Sequence, residues 1–177
     1  MALTIKQIRS IESDDELLDR LLAELKLLFP PDLRSDPIVF LSGLQNVPKR
    51  LRVMASTYEL DVSMALDDLA WHFVNHHSSL ELAEETFLGL RELEAPEAAE
   101  IFQEALHIIK PHWQELENGI QSKAAHDWLD STGIQALIDP LNDRMWTFLK
   151  QFPDKSFFSP WLAYARKYPD RCVTIAD

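Results

Sequence analysis

The chain has one cysteine, Cys172, only four glycines, and no apolar run that approaches the roughly 18 residues of a membrane span. A lone thiol cannot form an internal disulfide. With no histidine or second thiol beside it, Cys172 also lacks the setting of a redox pair, a metal cluster or a nucleophile. Few glycines argue against an all-β fold with its many tight turns. The segment Met1 to Arg20 has no basic stretch followed by an apolar run of signal-peptide length, so a cytoplasmic protein with no membrane partner is expected. A glycine-rich phosphate loop, a G-x-S-x-G elbow and an H-E-x-x-H pair are all missing. The sequence therefore points away from an enzyme and calls for no cofactor.

Cations are the most unevenly distributed residues. Between Arg52 and Arg91 there is no lysine or arginine, although Glu59, Asp61, Asp67, Asp68, Glu81, Glu84 and Glu85 lie there. Over residues 53–117 fourteen acidic side chains face two basic ones, Arg91 and Lys110, which accounts for the whole net charge of −12. The flanks cancel. A region so charged repels phosphates, and no basic, aromatic-studded stripe offsets it, so direct nucleic-acid binding is not expected.

What is present is helical periodicity. Leu17, Leu18, Leu21, Leu22, Leu25 and Leu28 recur at the spacing of one helix face. Ser13 with Glu16 forms a capping box before them, and Pro30 with Pro31 ends the helix. Pro37 and Pro48 are placed to open further helices, the second pattern running to about His76 with a break near Leu60. Ser78 and Glu81 make a second capping box, Pro96 starts the next helix and Pro111 closes or kinks it. Asp139 with Pro140, and Ser159 with Pro160, repeat the N-cap and N1 device. Trp71, Trp113, Trp128, Trp146 and Trp161 read as core or interface anchors. The expectation is an all-α, single compact domain spanning residues 1–177, with about seven to nine helices and an acidic central region at 53–117.

Two arrangements within that region are candidate sites. Glu97, Glu100 and Glu104 are three and four residues apart and share one helix face. At 1.5 Å rise per residue they place a carboxylate about every 5 Å, against about 3.4 Å between phosphates of one DNA strand. A phosphate-like row would need the neighbouring helix, with Glu81, Glu84, Glu85 and Glu92, to add charges alongside. A solvated acidic face is the plain alternative. The second arrangement is Asp68, His72 and His76, spaced i, i+4, i+8, a half-site for a transition metal on one helical face. All six histidines fall between His72 and His126, five of them inside the acidic region.

From Leu69 to Leu106 the sequence resembles the DNA-mimic protein family of the neisserial type, a group of small acidic all-helical proteins. Trp71, His72, Phe73, Val74 and Asn75 resemble its aromatic-x-asparagine helix end. Glu84 to Ala95 resembles its amphipathic helix closing on alanine, and Glu97 to Leu106 its alanine-rich partner helix. Asp67 and Asp68 stand where that family has a glycine pair, and Glu94 where a glycine is usual. The resemblance implies a helical fold, a homodimer, and a basic DNA-binding protein, such as a transcription regulator or nucleoid protein, bound in place of DNA. The expected partner-binding residues are Asp67, Asp68, Glu81, Glu84, Glu85, Glu92, Glu97, Glu100 and Glu104. The alternatives are an acidic adaptor or immunity-like protein for another basic partner, and a metal-dependent helical enzyme built on Asp68, His72 and His76.

Overall fold

A computed structural model describes residues 3–34, 36–75, 79–118 and 122–172. The described residues contain helices and no strand: α1 (Ile5–Ser10), α2 (Asp14–Leu28), α3 (Pro31–Arg34), α4 (Pro37–Gln45), α5 (Lys49–Leu66), α6 (Leu69–Asn75), α7 (Leu80–Glu92), α8 (Pro96–Ile109), α9 (Trp113–Glu117), α10 (Ser122–Thr132), α11 (Ile134–Leu149) and α12 (Phe158–Lys167). Short 3₁₀ turns follow α8 and α12. The all-α class is as expected. The segments outnumber the expected seven to nine because short pieces such as α3 and α9 separate from their neighbours at proline-containing turns.

The axis of the fold is α5. Twelve of its eighteen residues are buried, so it is packed on nearly all sides. Helices α2, α4, α6, α7 and α12 pack around it, while α8 lies against α7 and α11. Its buried hydroxyls are bonded within the core. Thr57 Oγ1 donates to the Val53 carbonyl at 2.8 Å and accepts from Trp161 Nε1 at 2.9 Å. Thr86 of α7 donates to the Ser56 carbonyl at 2.7 Å. Gly89 is what lets α7 approach this closely: a Cβ there would lie 2.5 Å from Ser56 Oγ and 3.0 Å from Thr57 Cγ2. One apolar cluster joins these helices, running from Leu3 to Ala165.

The helix starts correct several expectations. Ser13 does cap α2, accepting from the Glu16 amide at 3.2 Å, and Pro37 and Pro96 open α4 and α8. Pro48 is the N-cap of α5 rather than its first residue. The break in the following pattern comes at Asp67, not near Leu60, because Asp67 leaves the helical region (φ −137°, ψ −125°) and Asp68 caps α6 through the Trp71 amide at 2.9 Å. Ser78 lies outside the described residues, and Ser79 caps α7, its hydroxyl accepting from the Leu82 amide. Asp139 and Pro140 do not start a helix. They lie inside α11, which begins after Gly133 in the left-handed region (φ 71°), and Pro140 is tolerated because its face is exposed, so water can take up the freed carbonyl. Helix α12 begins before Ser159 and Pro160, since the buried Asp61 carboxylate takes the Phe157 amide at 2.7 Å and fixes its start.

The α7–α8 turn is built on Glu94, at φ 58°, a backbone region that favours glycine. The Ala95 amide bonds the Leu90 carbonyl and the Glu94 amide bonds that of Arg91, both at 3.1 Å, which is the Schellman pattern. Glutamate occupies the glycine position of that motif. Its carboxylate is tied down by Lys167 Nζ at 2.6 and 2.7 Å and by the Tyr168 hydroxyl at 2.5 Å.

Candidate functional site

The three-residue turn makes α7 and α8 antiparallel neighbours, and this hairpin carries most of the expected partner-binding residues. On α8 the apolar side, with Ala98, Ile101, Phe102, Ala105 and Ile109, is buried against α11 and α7. That burial leaves Glu97, Glu100 and Glu104 exposed together on the opposite side. Arg144 of α11 reaches the same face and donates to Glu104 at 2.7 Å. Its guanidinium is held above its usual range first by that hydrogen bond and then by the charges of Glu104, Glu100 and Glu97. Glu104 pairs with this cation, while Glu100 and Glu97 have no ion pair among the described residues.

The remaining carboxylates divide into two groups. Glu81 and Glu84 are exposed on α7, with Glu81 accepting from the Ser79 hydroxyl at 3.0 Å. They lie toward the end of α7 that the antiparallel arrangement sets beside the Glu104 end of α8. Glu85 and Glu92 instead turn toward α5. Arg52 grips Glu85 with two hydrogen bonds, one of 2.8 Å from its Nε. Glu92 receives Lys49 at 2.8 Å, Arg171 at 2.5 Å and the Tyr164 hydroxyl at 2.6 Å. Burial opposes ionisation of Glu92, yet the bonds from Lys49 and Tyr164 together with the charges of Lys49 and Arg171 hold its carboxyl below the usual range. The same partner and burial push the Tyr164 phenol up. Outside the hairpin, Glu59 pairs with Arg34 and the buried Asp61 holds the start of α12. Burial raises the Asp61 carboxyl against the bonds from Phe157 and Ser156.

Asp67 and Asp68 belong to the α5–α6 corner. Asp67 is exposed, whereas both oxygens of Asp68 are engaged, one by the Trp71 amide and the other by Gln135 Nε2 at 2.9 Å. His72 does not line up with Asp68 on an open face. Its ring is buried between Phe73 and Phe102, with Nδ1 3.0 Å from the Ser63 hydroxyl. His76 lies outside the described residues, and among those described no group of three candidate ligands comes together. The metal half-site is lost because Asp68 precedes α6 as its cap instead of sharing a helix with His72.

Sequence reasoning missed the cations that reach the acidic region from the flanks. Arg144 and Glu104 are 40 residues apart, and Arg171 and Glu92 are 79 apart, so no local pattern announces either pair. The pair Phe87 and Arg91 was missed too, although an aromatic and a cation at i, i+4 on one helix is a local signal that could have found it. In the structure the Arg91 guanidinium carbon is 5.9 Å from the Phe87 ring centre. No helix among the described residues is long and apolar enough to cross a membrane.

An all-helical protein with a cluster of exposed carboxylates on one helical hairpin is the class that these features define. The chain matches the model of the DMP19-like protein family over residues 45–167, from just before α5 to the end of α12, and it belongs to that family of DNA-mimic proteins. No curated protein and no solved structure matches it.

Proposed function

We propose that the protein binds a basic DNA-binding protein in place of DNA, presenting Glu97, Glu100 and Glu104 of α8 with Glu81 and Glu84 of α7 as the contact face. The observation that carries this reading is the excess of carboxylate on that face, where three exposed glutamates are accompanied by one guanidinium, that of Arg144, which pairs with Glu104. Family membership supports it. Glu85, Glu92 and Asp68 act as structural members, since their oxygens are already bonded within the fold. A one-signed face of this kind steers a basic partner over distance and makes the complex sensitive to salt.

The test is a low-salt pull-down from the source cells, followed by competition with duplex DNA for the recovered partner. A basic, nucleic-acid-binding protein that DNA displaces is the expected result. Changing Glu97→Lys and Glu100→Lys together should abolish capture, with the thermal midpoint nearly unchanged. Glu104 is left in place so that Arg144 keeps its partner. Capture of a basic protein that DNA does not displace would point instead to an adaptor or immunity-like role. Full binding by the double variant would remove the α8 face from consideration.

A further inference from the structure

Between α7 and α8 runs a groove of about 530 Å³, lined by Phe87 and Arg91 of α7, Glu94 of the turn, and Pro96, Glu100 and Gln103 of α8. Its chemistry is that of a receptor for a planar cation. Phe87 supplies an aromatic face, Glu100 an exposed carboxylate without an ion pair among the described residues, and Gln103 an amide oxygen able to accept beside it. Glu94 contributes less, because Lys167 and Tyr168 already hold its carboxylate. A guanidinium suits such a site better than an ammonium, since it can lie flat on a ring and fork to oxygens at its edge.

The groove already contains a guanidinium. Arg91 is exposed, makes no ion pair among the described residues, and stands over Phe87. Its position is notable in a region with almost no other cation. The surrounding carboxylates would ordinarily draw an arginine on such a face into a bidentate pair, as happens to Arg52 on the other side of α7. The geometry points to the α7–α8 groove as the pocket for an arginine side chain of the partner, with Arg91 as a resident guanidinium that the incoming arginine displaces. This rests on the acidic-face reading and adds to it the identity of the anchor. Arginine is recognised in the groove, while lysine is attracted only by the field of the face.

The experiment titrates the full chain with octa-arginine and octa-lysine peptides at low salt, following peptide anisotropy and the Phe87 ring resonances. Octa-arginine should bind more tightly and shift the Phe87 signals. Arg91→Ala should tighten octa-arginine by about two- to fivefold. Lys110→Ala makes the same change of net charge away from the groove and should tighten both peptides equally and slightly. Phe87→Leu should erase the preference for arginine while leaving salt-dependent attraction of both peptides, and thermal unfolding verifies that the variant is folded. Equal binding of the two peptides, or an Arg91→Ala effect no larger on octa-arginine than that of Lys110→Ala, overturns the pocket. If Glu97→Lys with Glu100→Lys still abolishes partner capture in that case, the acidic-face reading survives alone. If neither peptide binds and the double variant captures partner normally, both fall.

Discussion

The two sides of helix α7 carry the same kind of residue in opposite circumstances. Toward α5, Glu85 and Glu92 meet Arg52, Lys49 and Arg171, and the turn residue Glu94 meets Lys167. Toward solvent and α8, Glu84, Glu97 and Glu100 have no ion pair among the described residues, and Glu104 has Arg144. The cations of the first group all come from residues before 53 or after 117, the flanks whose charges cancel when counted along the chain. They cancel only in sequence. In space the flanks lend cations to the acidic region, and the largest group of carboxylates left without an ion pair among the described residues lies on one hairpin. A segment's net charge is therefore an upper bound on its field, and folding decides where the remainder appears.

The sharpest way to break this comparison is to remove a cation from a carboxylate that has no access to water. Arg50 and Glu24 form such a pair at 2.6 Å, with side-chain exposures of 0% and 4%. Arg50→Met should cost about 3–5 kcal/mol, because it strands a buried charge. Urea unfolding of Arg50→Met against Arg50→Met with Glu24→Leu measures it, and the double variant should recover much of the loss. A single variant as stable as the parent would show that Glu24 does not depend on its partner. A smaller effect belongs to Glu92, which is partly screened. Glu92→Gln should cost roughly 1.5–3 kcal/mol at pH 7, the range for hydrogen bonds to charged groups. The folded carboxyl is depressed below its ordinary value of 4.5, so its contribution is fully present above that value and is lost as the pH falls through the folded one. Parent and variant should therefore converge in stability as the pH falls below that ordinary value, and a gap that stays constant from pH 7 down through the acid range would contradict the ionic account.

How far the sequence revealed this depended on range. Helices α2, α4 and α8 were legible because their signals are local: Ser13, Pro37 and Pro96 act within one turn of their own helix. The shared face of Glu97, Glu100 and Glu104 was legible for the same reason. Asp139 with Pro140 misled because an identical dipeptide signal fits a helix start or an exposed position inside a longer helix, and only packing distinguishes them. Asp68 and His72 misled because two helical patterns in phase look like one until a residue such as Asp67 leaves the helical region. That Arg52, Lys49 and Arg171 reach Glu85 and Glu92 is not legible in the sequence, because no periodicity encodes a contact between distant segments.

The smallest expected effect is the most telling for the other half of the comparison. Glu97 lies in the first turn of α8, where Ala95 offers no side-chain cap, so its charge favours the helix N-terminus by about 0.3–1 kcal/mol. Glu100 stands three residues from Glu97 and four from Glu104, and each like-charged neighbour costs a few tenths of a kcal/mol. Glu97→Gln should thus destabilise slightly, and Glu100→Gln should be neutral or slightly stabilising. The double variant should remain within about 0.5 kcal/mol of the parent in urea unfolding. Glu100 is the informative position, because its carboxylate makes no ion pair among the described residues and its like-charged neighbours offset the longer-range attraction of Arg144. If Glu100→Gln were instead to cost as much as Glu92→Gln, its carboxylate would belong with the compensated group, and the distinction between the two sides of the hairpin would disappear.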